Sequence, residues 1–190
     1  MKYFKHIIIF IFINFLTFSS FANEFVGIIG AGVGEVKNQN DKKLDNGSKI
    51  FYGDTIIVGS KSTAQVLFLD QTVMTLGEDS ELTIDEFVYD PQTNDGKFVS
   101  NIKSGTIKII TGKISKKDPD NLEIKIPTGA IGARGTEFVV LANSKNENTV
   151  LLLGPGPNNS LGMTPGNLEV TDGVNSVSII QPGFETVVTN

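Results

Sequence analysis

"LEIKI", Leu122 to Ile126, decides the fold class. Leu122, Ile124 and Ile126 fall on one face of an extended chain and Glu123 and Lys125 on the other, the period-2 pattern of a half-buried strand. The same rhythm runs outward in both directions. Upstream lie "AQVLFL" from Ala64, "TVMTL" to Leu76, "ELTI" from Glu81, "KFVSNIK" from Lys97 and "GTIKIITGKI" from Gly105. Downstream come "EFVVLA", "TVLLL", "NLEVT", "SVSII" and "ETVVT". In "AQVLFL" the apolar residues reach both faces toward the end, which predicts a strand buried on both sides. No window places apolar residues at i, i+3, i+4 and i+7 between helix caps. Turn formers separate the strands: Asn46-Gly47, Asp95-Gly96, Asp172-Gly173 and Pro182-Gly183. Short strands at spacings of roughly 8–12 residues predict an all-β architecture. A sandwich, a barrel and a roll or solenoid-like stack all satisfy the pattern. Even strand lengths and tight turns favour a twisted roll, but no fixed period is clean enough for a regular solenoid.

The N-terminus has a different character. Lys2 and Lys5 precede the apolar run Ile7 to Phe18, which ends in "SSFAN". Positive, apolar and small-residue regions in that order predict a helical secretory signal peptide over residues 1–22, cut after Ala22. The run holds 12 residues, short of the ~20 a bilayer span needs. An uncleaved anchor is the alternative. No cysteine follows to carry a lipid, and no stable membrane span is expected after cleavage. The expected mature chain is residues 23–190, one domain able to bury ~70% of its unfolded surface without staples. It has no cysteine to form any. An exported chain without disulfides suits a bacterial envelope, periplasmic or secreted.

Absences restrict the chemistry. The one histidine, His6, leaves with the leader, so the mature chain has no His, Cys or Trp. That excludes Ser-His-Asp and Cys-His nucleophile systems and ordinary zinc, haem or iron–sulfur ligation. Without Lys2 and Lys5, 14 basic residues face 21 acidic ones, a net charge of −7. Lys42-Lys43 and Lys116-Lys117 are too short to act as patches, so nucleic acid is not an expected partner. Glu78-Asp79 and Asp85-Glu86 are the adjacent acidic pairs outside turns. A glycosidase needs two converging carboxylates, but strand neighbours point to opposite faces. "DPQTNDG" and "DPDN" gather oxygen ligands without the EF-hand spacing and read as turns. "GIIGAGVGEV", Gly27 to Val36, has the look of a dinucleotide fingerprint but no helix follows it. No metal and no cofactor is expected.

Two segments stand out. "GPGPNNSLGMTPG", Gly154 to Gly166, cannot hold a ladder, because its prolines donate no backbone hydrogen bond. It reads as an exposed loop, and loops of this length are functional or disordered. "IPTGAIGARGTEF", Ile126 to Phe138, contains Arg134, the only arginine beside 15 lysines. A guanidinium offers a planar fork that lysine cannot reproduce. The expectation is a brace, with Arg134 bound to a carboxylate or to strand-end carbonyls. A ligand clamp is the alternative.

From Gly53 to Val140 the chain resembles the FecR domain family, and more loosely beyond. The resemblance rests on "GDTIIVGSKSTAQVLFLDQTVMTLGEDSELTIDEF" from Gly53, on "VYDPQTNDGKF" with "IKSGTIKIITGKI", on "IPTGAIGARGTEF" and on the tail "SVSIIQPGFETVV". It implies an all-β, twisted roll-like stack. It singles out Gly53, Asp54, Asp70, Gly132, Arg134, Gly135, Thr136 and Phe138 as motif residues, structural or binding. Gln71 stands where glycine is common, which suggests that this turn needs no positive φ. Ala133 replaces a larger apolar residue, and the Gly154 to Gly166 insert interrupts a compact hairpin. The best-known members pair a periplasmic FecR region with a cytoplasmic anti-sigma segment. Only six residues precede the apolar run here, so the anti-sigma role is not carried over. The expected function is a non-enzymatic envelope-side binding or sensing module for an unknown envelope protein or ligand, using strand edges and loops. A polysaccharide-active enzyme with paired carboxylates and a structural envelope protein are the alternatives.

Overall fold

A computed structural model describes residues 24–143, 146–158 and 163–189. The expected signal peptide and its cleavage site lie outside the described residues, as does the centre of the Gly154 to Gly166 insert.

Nearly all the regular structure of the described chain is strand. In order these are β1 (Phe25–Val33), β2 (Val36–Asn38), β3 (Lys49–Phe51), β4 (Thr55–Val58), β5 (Thr63–Phe68), β6 (Val73–Leu76), β7 (Glu81–Tyr89) and β8 (Gly96–Ile110). A short helix α1 (Lys113–Lys117) and a 3₁₀ turn (Pro119–Asn121) follow. The rest are β9 (Leu122–Ile126), β10 (Gly129–Arg134), β11 (Glu137–Ala142), β12 (Glu147–Gly154), β13 (Asn167–Thr171), β14 (Ser176–Ile179) and β15 (Glu185–Thr189).

They form two layers that share β8. One layer runs β3-β1-β5-β6-β8-β11-β12-β15, and the other β2-β4-β7-β8-β9-β10-β13-β14. Every pair is antiparallel except β8 with β9. The first half of β8 pairs with β7 and β9, and its second half with β6 and β11. Gly105 stands at the crossing with φ 91°. Its missing side chain leaves room for Ser80, which a Cβ would overlap. Glycine is therefore required twice here, by conformation and by space. The chain passes repeatedly from layer to layer, and the outer edges stay open, which excludes a closed barrel. This is the all-β architecture that the strand pattern predicts, in the sandwich-like arrangement that was one of those it left open.

The layers enclose one apolar core. Phe68 on β5 meets Phe98 on β8 at 4.7 Å between ring centres and Phe87 on β7 at 5.9 Å. Such aromatic pairs contribute about 0.5–1.5 kcal/mol beyond the area they bury. "LEIKI" becomes β9 with its three apolar residues buried.

Several local expectations are corrected. β5 alternates, and Leu69 just beyond it is 47% exposed, so this segment is not buried on both sides. "KFVSNIK" and "GTIKII" are one strand, and the "GKI" that the pattern assigned to strand enters α1. Strands β1 to β4 precede Ala64, where the strand pattern placed none. Gln71 does adopt a positive φ, 72°, because the turn geometry is imposed by Asp70 and Thr72.

Candidate functional site

Three motif segments distant in sequence meet at one end of the stack. Asp70, fully buried, accepts hydrogen bonds from Thr72 N (3.0 Å) and Thr72 Oγ1 (2.7 Å). The Thr72 hydroxyl accepts from Gly112 N at 3.0 Å, and Lys113 N donates to the Asp70 carbonyl at 2.8 Å. A Cβ on Gly112 would overlap the backbone of Asp70 and Thr72. The β5–β6 turn is thus locked onto the junction of β8 and α1. Next to it, Thr136 N donates to Thr111 Oγ1 at 2.9 Å, and Thr136 Oγ1 donates to the Gly154 carbonyl at 3.0 Å. Ser115 Oγ on α1 donates to the Ala133 carbonyl. Burial pushes the Asp70 carboxyl above the usual carboxylate range, and the bonds from Thr72 oppose that shift without cancelling it.

The structure therefore brings Asp70 and Thr136 into one buried polar network with Thr72, Thr111 and Gly112, which sequence reasoning did not single out. The Thr-Gly pair ahead of α1 was the visible signal for Thr111 and Gly112, and the turn at Asp70 and Gln71 that for Thr72. Gly135 closes the turn at φ 57°. Phe138 is fully buried in the core. Gly132 lies mid-strand in β10, opposite Glu123 and Glu169. Gly53 and Asp54 lie apart, on the turn from β3 to β4. There Gly53 has φ 81°, and Asp54 Oδ2 accepts from Phe51 N at 2.9 Å.

Arg134 is not the expected brace. Its side chain is exposed at the end of β10, and among the described residues it makes no hydrogen bond or ion pair. The adjacent carbonyl of Ala133 is taken by Ser115 instead.

The carboxylate pairs also differ from expectation. A bulge between Ile84 and Glu86 puts Asp85 and Glu86 on the same outward side of β7. They do not form a dyad. Asp85 pairs with Lys125 at 3.3 Å and Glu86 with Lys97 at 2.8 Å, and the Glu86 contact raises the affinity of Lys97 for its proton. Glu78 accepts from Lys61 N at 2.8 Å, while Asp79 turns the chain at φ 55°. In "DPQTNDG", Asp90 accepts from Gln92 N and Thr93 Oγ1, which lowers its pKa, and Asp95 pairs with Lys117 at 2.7 Å. No cluster of three or more His, Cys, Asp or Glu side chains suited to a metal occurs among the described residues. "GIIGAGVGEV" forms β1 and the turn into β2, with no helix behind it. No described helix is long and apolar enough to cross a membrane.

Two surface features remain. An open cleft of about 560 Å³ lies beside the threonine network, between Gly135, α1 and the described ends of the insert. β14 closes one layer and β15 the other, and neither has an outer strand partner among the described residues. The turn into β15 adjoins the cleft, with Gly183 N donating to the Leu152 carbonyl and Leu152 N to the Phe184 carbonyl. Val174 (90% exposed), Phe184 (61%), Ile180, Val187 and Val177 surround these two edges. β14 carries no charge, whereas the opposite edges carry Lys49 on β3 and an ion-paired Lys37 on β2.

The comparisons agree with this geometry. Two crystal structures of a "putative anti-sigma factor" from Parabacteroides distasonis, at 2.50 and 1.65 Å resolution, share the fold with TM-scores of 0.53 and 0.51. They are 15% and 16% identical to this chain, and in each case the match covers 72% of it and 55% of the neighbour. The chain thus spans just over half the length of those structures. Among curated proteins none matches it. The family model described as FecR protein matches residues 54–154, just over half of the sequence and all three segments of the polar network. The chain belongs to the FecR protein family.

Proposed function

We propose that residues 23–190 form an exported, non-enzymatic binding module of the FecR type, which takes a protein partner on the open edges of β14 and β15. One observation carries this reading: β14 is an uncharged, unpartnered edge among exposed Val174, Val177, Ile180 and Phe184. Sheet edges are normally blunted by lysine, proline or a cover, because a bare edge recruits a strand from another chain. Main-chain hydrogen bonds then supply affinity, and the alternate side chains supply register.

The anti-sigma description of the structural neighbours supports a protein as partner. The basic, apolar and small-residue order of residues 2–22 supports export and cleavage after Ala22, and so a partner in the envelope. The separate ion pairs of Asp85 and Glu86 support a role without catalysis.

The test is capture from envelope extract with the protein and with Val177→Lys and Phe184→Asp. Both residues are exposed, so the melting temperature should not move. One captured protein, lost with both variants, is the expected result. Equal capture by all three overturns the edge reading. Glycan hydrolysis that disappears with Glu86→Gln overturns the non-enzymatic one.

A further inference from the structure

The cleft beside the threonine network has a chemistry of its own, distinct from that of the uncharged β14 edge. One wall is apolar: Ile110 and Leu153, each 39% exposed, with Met163 at 57% and Pro155. Large apolar side chains left open to water and facing one concavity are the usual lining of a small-molecule site, and about 560 Å³ lies within the range such sites occupy.

The polar groups on the lining are engaged elsewhere. Thr111 Oγ1 accepts from Thr136 N, and Thr136 Oγ1 donates to the Gly154 carbonyl. The Glu137 carboxylate is held by Lys108. The exceptions among the described residues are the Thr164 hydroxyl and Lys116, whose ammonium makes no ion pair or hydrogen bond and is the one charge left unpaired on the lining. Arg134, likewise unpaired, immediately precedes the lining residue Gly135. The cleft therefore presents unpaired positive charge in a chain whose net charge is −5. An apolar wall with one unpaired cation on the lining itself, Lys116, suits a ligand with an apolar body and a single anionic head. A neutral lipid would forgo the charge-assisted contact with the exposed ammonium, and a polyanion would leave the wall uncovered.

We propose that this cleft binds a small amphiphilic monocarboxylate, its aliphatic body against Ile110, Leu153 and Met163 and its carboxylate on Lys116.

Isothermal titration of the purified protein with decanoate, decanol and butyrate tests this, with amide shift mapping by NMR to locate the site. Decanoate should bind and move the amides of Gly135, Thr136 and Gly154, and both controls should bind about tenfold more weakly or worse, each lacking one of the two contacts. Lys116→Met should weaken decanoate about tenfold and leave decanol unchanged, while Lys116→Arg restores decanoate. Met163→Asp should abolish binding, whereas Val177→Lys, at the strand edge, should not affect it. Decanol binding as tightly as decanoate, no change with Lys116→Met, or shifts confined to residues 174–180 with Gly135, Thr136 and Gly154 unmoved would each overturn the proposal. Failure of the strand-edge reading would leave these outcomes untouched.

Discussion

Asp70 and Thr72 hold each other twice, the Thr72 amide on one carboxylate oxygen and the Thr72 hydroxyl on the other, inside a region closed to water. Burial outweighs these bonds and raises the Asp70 pKa, and the sign of the consequence is definite. A carboxyl whose folded pKa is raised contributes stability that is fully present below its unfolded value, about 4. That contribution is lost as pH rises through the folded value. Asp70→Asn removes the titration. The melting temperature of the wild type minus that of the variant should therefore fall as pH climbs from about 4, then level off. Asp90, Asp95 and Asp172 have lowered values, so they lose stability as pH falls, and only the difference between proteins isolates Asp70. A difference that stays constant or rises would show that Asp70 is not held as described.

Gly105 makes a second prediction. Alanine there meets two penalties: positive φ, costing about 1–2 kcal/mol, and overlap with Ser80, costing about 1–3 kcal/mol. At roughly 2–4 °C per kcal/mol for a chain of this size, Gly105→Ala should lower the melting temperature by about 4–20 °C. Gly47 has a similar φ, 82°, but nothing lies within 4 Å of its missing Cβ, so Gly47→Ala should show the conformational part alone. Equal effects at the two sites would mean that the crossing of β8 between layers is not tightly packed.

Much of the fold was legible because burial follows alternation: the apolar residues of "LEIKI" and "EFVVLA" are the buried ones. What was missed was set by contacts over long separations. Gly105 lets "KFVSNIK" and "GTIKII" continue as one strand while changing layers, and no local pattern encodes that. α1, at five residues, is too short for helical periodicity to register. Asp70 and Thr136 could be picked out as motif residues, but their convergence through Gly112 and Thr111 depends on pairing between segments some 40 and 25 residues apart. "SVSII" was readable as a strand. That it is an edge is a property of the topology, and only its lack of charge hinted at it.

Calcium should have no effect. Asp90 is already bound by Gln92 N and Thr93 Oγ1, and Asp95 by Lys117. A cation in this turn would have to displace three contacts and repel a lysine. Melting curves with EDTA and with added Ca²⁺ should superimpose. A ligand bound only by the folded state at about a hundred times its Kd would add about 2.7 kcal/mol, so a shift of several degrees with calcium would identify the turn as a ligand loop.

Arg134 gives the last prediction, and its direction follows from exposure. A bracing guanidinium would be half-buried, with a carboxylate or two carbonyls in its fork, and losing it would cost about 1.5–3 kcal/mol. Arg134 instead stands exposed, its guanidinium makes no hydrogen bond or ion pair with a described residue, and the neighbouring Ala133 carbonyl is bound by Ser115. Exposed side chains without partners change stability by no more than about 0.5 kcal/mol when replaced. Arg134→Ala and Arg134→Lys should therefore both melt within about 2 °C of wild type. If Arg134→Ala melts several degrees lower while Arg134→Lys does not, a charge contact supports the fold. If both melt lower, the planar fork itself is a brace. With both unchanged, the guanidinium is not needed for folding, and a role for it must be sought in what the protein binds.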